Sequence, residues 1–158
     1  MRLVPSQRLD LRINATVVVV ALVVTAVDAL TKAWARYALV RPAHVMGALW
    51  LQLQYNSGVS FSFSMSGPFV TTVVTIAISI CVLLVGLRAR HGLPATGFGL
   101  LIGGGLANVV DRLAASPHRV TDFIAVGGFP VFNVADAAIT VGFVVLLVAV
   151  LRGERLLA

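Results

Sequence analysis

The sequence predicts an all-α membrane protein with four transmembrane helices, a small extracytoplasmic β-hairpin or sheet lying on the membrane, and a second outer loop. Three observations predict it. Of 158 residues, 59% are hydrophobic and 11% charged, and mean hydropathy is +0.99, which is more apolar and less than half as charged as an ordinary soluble domain. The charge-free gaps Ile13 to Val27, Pro42 to Leu87, His91 to Val110 and Ala137 to Leu151 can each hold one apolar helix. A span uses about 20 residues, so the chain reads as a single integral membrane domain over 1–158 with no room for a soluble one.

Taken in order, the spans fall at roughly 13–36, 69–87, 94–112 and 134–151, with outer loops at about 37–68 and 113–133. The first half of the second gap is excluded because polar and apolar residues alternate there and Pro42, Asn56, Gly58, Gly67 and Pro68 interrupt it. Its Leu51–Tyr55 stretch alternates with period two, Asn56-Ser57-Gly58 supplies turn residues, and Ser60–Ser64 alternates again. That pattern predicts a hairpin with Leu51–Tyr55 and Ser60–Ser64 as its arms. In the second loop, Val120–Ile124 is strand-like before Gly127-Gly128 and Pro130. The first span also resembles a cleavable leader ending in Ala33-Trp34-Ala35, but Asp28 and Lys32 stand before that site and three further spans follow.

The charges report topology. Arg2, Arg8, Arg12, Arg88, Arg90, Arg152 and Arg155 flank one side, against Lys32, Arg36, Arg41, Arg112 and Arg119 on the other. The positive-inside bias assigns the first group, and both termini, to the cytoplasm. Basic residues separated by apolar runs do not form one patch, so no nucleic-acid partner is expected despite the net charge of +6. The lone Cys81 excludes a disulfide framework and reads as a buried apolar filler.

Four of six acids, Asp28, Asp111, Asp122 and Asp136, collect at the outer ends of spans. An Asp at a helix centre costs roughly 2.5 to 3.5 kcal/mol to insert, and intramembrane acids are functional candidates. Each also has a structural reading. Asp28 and Lys32 are i and i+4, acid first, the favourable order for a helical ion pair. Asp111 adjoins Arg112, one turn beyond Asn108, which reads as an anchoring network. Asn133 can cap the fourth helix with Asp136 in its first turn, and Asp122 can be a solvated loop acid. Asp122 and Asp136 are nevertheless the two without a basic neighbour at pairing distance. Two carboxylates brought together resist joint ionisation, so one keeps a proton while the other polarises a water.

Rival chemistries lack their frames. His44, His91 and His118 lie in separate segments without zinc-ligand spacing, and no serine sits in a G-x-S-x-G frame. Gly103-Gly104-Gly105 lies inside an apolar span with no following G-K-[ST], which reads as close helix packing.

Val27-Asp28-Ala29-Leu30-Thr31-Lys32, Asn56-Ser57-Gly58, Gly103 to Arg112 (GGGLANVVDR), Val120-Thr121-Asp122-Phe123 and Phe132-Asn133-Val134-Ala135-Asp136, in this order, closely resemble the lipoprotein signal peptidases of bacteria. The resemblance implies an intramembrane aspartic endopeptidase that removes the signal peptide from diacylglyceryl-modified prolipoproteins at the lipobox cysteine. It makes Asp122 and Asp136 the catalytic dyad and places Asn56, Gly58, Asn108, Arg112 and Asn133 around the site. Asp28, Lys32, Gly104 and Asp111 match positions that look structural. Val59 and Ser60 replace small alanines common in the family.

No metal and no cofactor are implied. The expected partners are diacylated prolipoproteins and membrane lipids, and the expected form is a monomer. The expected location is the bacterial cytoplasmic (inner) membrane, with the active site near the outer face. The alternative is a small non-enzymatic four-helix membrane carrier or proton-relay subunit. Such a carrier should show repeat symmetry, of which Asn108–Asp111 and Asn133–Asp136 give only a faint echo.

Overall fold

The structure, a computed structural model, describes residues 14–57, 68–114 and 118–157. It contains α1 (Ala15–Ala38), β1 (Ala43–Met46), β2 (Leu49–Asn56), α2 (Pro68–Gly86), α3 (Leu93–Ala114), β3 (Val120–Val126) and α4 (Val134–Leu151). All four helices are long and apolar enough to cross a membrane. With the three-stranded antiparallel sheet β1-β2-β3, this is the fold class expected.

Helix α3 is the centre of the bundle: 67% of its apolar stretch is buried, against 11% for α2. The outer helices leave large apolar side chains exposed, such as Leu22 and Leu30 on α1, Ile78 and Leu84 on α2, and Phe143 and Leu147 on α4. These are lipid-facing surfaces. Lipid tails are as apolar as leucine, so helices in a bilayer associate by close packing rather than by hydrophobic exclusion. The glycine run on α3 supplies that packing, one residue per neighbour. A Cβ at Gly103 would lie 2.8 Å from Ala21 O on α1, one at Gly104 2.5 Å from Ala135 O on α4, and one at Gly105 2.9 Å from Ser79 Oγ on α2. Three consecutive residues point about 100° apart around a helix, which is how a single run serves three partners.

The sheet corrects the expected hairpin. Leu51–Tyr55 is indeed strand, but its hairpin partner is β1, through a turn at Gly47, whose φ is +50°. The other edge of β2 pairs with β3, with Gln54 opposite Asp122 and Asn56 opposite Val120. Both edges are therefore taken by strands other than Ser60–Ser64, which lies outside the described residues, as does Gly58. Alternation identified the strand correctly, but pairing was decided by a turn before it and by a strand more than 60 residues later.

The sheet rests on the end of α1. Ala35, Leu39 and Phe123 form a small core with Leu51, Leu53, Ile124 and Val134, and Trp34 meets Phe123 edge-on at 6.3 Å. After β3 the chain turns at Gly127 (φ +54°) and comes straight back. Phe132 O accepts from the N–H groups of Phe123 (3.0 Å) and Ile124 (2.8 Å). That return sets Asn133, the next residue, against the middle of β3. At the opposite end of the bundle, Asn14 caps α1 and donates through Nδ2 to Ala89 O at 3.1 Å. Cys81 is exposed on α2; among the described residues α2 packs chiefly on α3 and turns most of its length outward, so the residue is not the buried filler expected.

Candidate active site

Asp122 is brought inward by β3, whose first four residues are all buried; its side chain is 1% exposed. Asp136 is carried by the first turn of α4. Asn133 joins them. Its Nδ2 donates to Asp122 Oδ1 at 2.7 Å, its backbone N–H donates to Asp136 Oδ2 at 3.2 Å, and its Oδ1 accepts from Asp136 N at 2.9 Å. The last two bonds are a capping box. The cap fixes which end of the amide is which: Oδ1 is engaged by the helix, so Nδ2 must face Asp122. Capping and convergence of the two acids, separate readings in the sequence, are served by one side chain.

Asn108 on α3 makes the second link to Asp136, donating from Nδ2 to Oδ1 at 2.9 Å. Its Oδ1 accepts from Lys32 Nζ at 3.0 Å and from Asn133 Nδ2 at 3.3 Å. Lysine has only donors to offer, so the amide is again oriented by chemistry.

Lys32 itself is 1% exposed and its three N–H donors meet three acceptors: Asp28 Oδ2 at 2.7 Å, Asn108 Oδ1 at 3.0 Å and Asp111 Oδ2 at 3.3 Å. The expected i,i+4 pair of Asp28 and Lys32 is present, but it is one arm of a junction between α1 and α3. Asp28 Oδ1 reaches further and accepts from Ala135 N at 2.8 Å, tying α1 to the first turn of α4 beside Asp136.

Asp111 departs from the expected partnership with Arg112. It pairs instead with Lys32 and with Arg36 at 3.6 Å, and its Oδ2 accepts from Thr121 N at 2.8 Å. Successive residues on a helix point about 100° apart, so Asp111 faces α1 and β3 while Arg112 turns inward. Arg36 Nη1 also donates to Thr121 Oγ1 at 2.9 Å. Sequence reasoning missed Arg36 and Thr121. The available signal was the spacing of Asp28, Lys32 and Arg36, i, i+4 and i+8 on one face of α1.

Arg112 is 9% exposed and lies within electrostatic reach of Asp136, Asp122 and Asp111. Among the described residues its Nε has no hydrogen-bond partner. Asn56, at the end of β2, hydrogen-bonds the Asp122 carboxyl through its side chain.

Burial, and secondarily the nearby charge of Asp136, pushes the Asp122 carboxyl up to about 6, although hydrogen bonds from Asn56 and Asn133 act the other way. Asp136 is only partly buried, so one acid of the pair is enclosed and the other is reachable.

A four-helix membrane protein that gathers two carboxylates around one asparagine near one end has the parts for acid–base chemistry, and comparison with known proteins defines the class. The model of the signal peptidase (SPase) II family matches residues 20–152. The chain belongs to that family and is a protease. The lipoprotein signal peptidase of Rhodococcus jostii (strain RHA1) is 39% identical over 142 residues, covering 85% of this chain and 72% of the relative. That of Mycobacterium leprae (strain Br4923) is 31% identical over 159 residues, covering 96% and 76%. A solved structure of a bacterial membrane enzyme superposes with a TM-score of 0.76 at 26% identity, over 87% of this chain and 93% of that one. Family membership sets aside the carrier or proton-relay reading.

Proposed function

We propose that this protein removes the signal peptide from diacylglyceryl-modified prolipoproteins at the lipobox cysteine, with Asp122 and Asp136 as the catalytic dyad. The observation that carries the dyad is Asn133, which hydrogen-bonds both carboxylates at 2.7 and 3.2 Å and so holds them at one point.

The roles follow from the two environments. Asp136, partly exposed and facing two donors at a helix N-terminus, is the ionised partner that accepts a proton from the attacking water. Asp122, enclosed and with its pKa raised to about 6, supplies a proton to the scissile carbonyl oxygen. Water oxygen bonds to the carbonyl carbon and gives a neutral tetrahedral diol. Collapse breaks the C–N bond as Asp136 returns its proton to the departing amine and Asp122 recovers one from the diol hydroxyl. Arg112 and Asn56 contact the substrate backbone, and Gly58 matches a family position around the site. Asn108 and Asn133 orient the dyad, and Asp28, Lys32, Gly104 and Asp111 hold the helices that carry it. None of these steps calls on a metal or a cofactor.

A diacylated substrate reaches such a site from within the bilayer, which fits a monomer in the bacterial inner membrane. The chain acts as a single integral membrane domain with both termini cytoplasmic and the dyad near the outer face. The test incubates purified protein with a diacylglyceryl-modified prolipoprotein and, separately, with the unmodified precursor. Release of the signal peptide from the modified substrate alone is expected, with none by Asp122→Asn or Asp136→Asn. Equal cleavage of both substrates would remove the lipid requirement, and turnover by either variant would remove the dyad.

A further inference from the structure

The end of the bundle remote from the dyad carries a second polar feature. The chain beyond α4 turns at Gly153, whose φ is +74°, and folds back on the α2–α3 connection: Arg90 N donates to Leu156 O at 3.0 Å, and Ala89 bridges Leu157. Leu156 packs into the apolar core. Between tail and connection lies an open, solvent-facing cavity of about 400 Å³ lined by Arg90, His91, Gly153, Glu154 and Arg155. Among the described residues neither Arg90 nor Arg155 is engaged in an ion pair. With one carboxylate against two guanidinium groups, the cavity keeps a net positive charge.

Its position is as informative as its charge. The cavity opens where α2 and α4 end and α3 begins, so it lies at the membrane boundary. Leu151, 76% exposed, and Leu157, 41% exposed, stand beside it, and the exposed Leu147 and Val150 continue an apolar face along α4. Cationic groups at the boundary with an apolar track leading into the bilayer match an amphiphile with an anionic head. A free anion would have no use for the track.

We propose that this cavity holds the phosphodiester head group of an anionic phospholipid, with Arg90 and Arg155 as the phosphate ligands and the acyl chains lying along α4. Arginine suits this role because its planar fork meets two phosphate oxygens at once. Basic pockets between spans at the membrane boundary are recognised lipid sites. The reading does not depend on the dyad, since cleavage is at the other end of the molecule.

The experiment measures lipid retained by the purified full-length protein, by native mass spectrometry, with phosphatidylglycerol, phosphatidylcholine or inorganic phosphate as the probe. Phosphatidylglycerol should be retained about 25-fold better than phosphatidylcholine, and R90Q/R155Q should abolish that preference, each arginine contributing roughly fivefold. The control R41Q/R119Q removes the same charge from the other end of the molecule and should keep the preference. E154Q should strengthen it several-fold, a gain that misfolding cannot produce. Equal retention of both lipids, an unchanged preference in R90Q/R155Q, or full displacement of phosphatidylglycerol by equimolar inorganic phosphate would overturn the proposal, the last in favour of a free-anion site.

Discussion

Asp122 sits where its charge is costly, and this gives opposite signs for activity and stability. In the unfolded chain its pKa is near 3.8, and in the fold it is about 6. The folded state therefore holds the proton more tightly. The stability this contributes is fully present below pH 3.8 and is lost as pH rises through 6. At neutral pH the buried charge costs up to roughly 3 kcal/mol. Asp122→Asn should therefore nearly abolish cleavage yet raise thermal stability over the natural protein, by a margin that grows between pH 4 and pH 8 in unfolding scans. A margin constant with pH would show that Asp122 titrates normally. The rate of the natural protein should fall as pH rises above about 6, where the dyad loses its shared proton, and again at low pH when both acids are protonated. The two apparent values belong to the pair. The candidate dyad was legible in the sequence because charge pairing is largely local: setting aside Asp28, with Lys32, and Asp111, beside Arg112, left Asp122 and Asp136, although the cations that meet Asp111 are Lys32 and Arg36. The remainder of Lys32's environment was not legible. Asn108 and Asp111 reach it from another helix, and which face of α3 meets α1 is set by packing that spacing within α1 does not encode.

Helix positions are fixed by the glycines of α3, and their neighbours rank the cost of adding a methyl group. At Gly104 the new Cβ meets a backbone carbonyl at 2.5 Å and Ile139 Cγ1 at 2.7 Å on the turn that carries Asp136; at Gly103 it meets Ala21 O at 2.8 Å; at Gly105 the nearest atom is a serine hydroxyl at 2.9 Å, which can rotate away. Overpacking costs typically 1–3 kcal/mol. Stability should fall in the order Gly104→Ala, then Gly103→Ala, then Gly105→Ala in thermal scans. Gly104→Ala alone should lose turnover per folded molecule, because it separates α4 from α3 beside the dyad. A larger loss of turnover in Gly105→Ala would show that α2 governs the site. Lys32→Met should deplete folded protein, at a cost of about 3–5 kcal/mol, because it leaves the buried Asp28 carboxylate without its ion-pair partner and takes a donor from Asp111 and from Asn108. The glycine run was readable as packing, but not its three-way division, which requires knowing that α3 is central. The sheet was half readable for a similar reason. Period-two alternation marks a strand by its own residues, whereas its partners are chosen by Gly47 and by the return at Gly127, remote in the chain.

The molecule as a whole separates an end with the sheet, the candidate dyad and four aspartates among its basic residues from an end where the tail closes over the α2–α3 connection and Arg88, Arg90, Arg152 and Arg155 face the single described acid Glu154. The positive-inside bias acts on the second end through Arg88, Arg90, Arg152 and Arg155. The proposed function calls for this polarity, because a water-consuming dyad at the outer face would have to lie within reach of solvent while its substrate stays anchored in lipid. The orientation is open to direct test with single cysteines in a Cys81→Ser background. Gly128 lies at the tip beyond β3 with nothing within 4 Å of a new Cβ, and Glu154 is exposed at the other end, so neither replacement disturbs packing. In intact cells an impermeant thiol reagent should label Gly128→Cys and spare Glu154→Cys until the membrane is opened. The reverse pattern would invert the molecule and place the dyad on the side from which exported precursors have already departed, leaving lipoprotein maturation without an enzyme at the outer face.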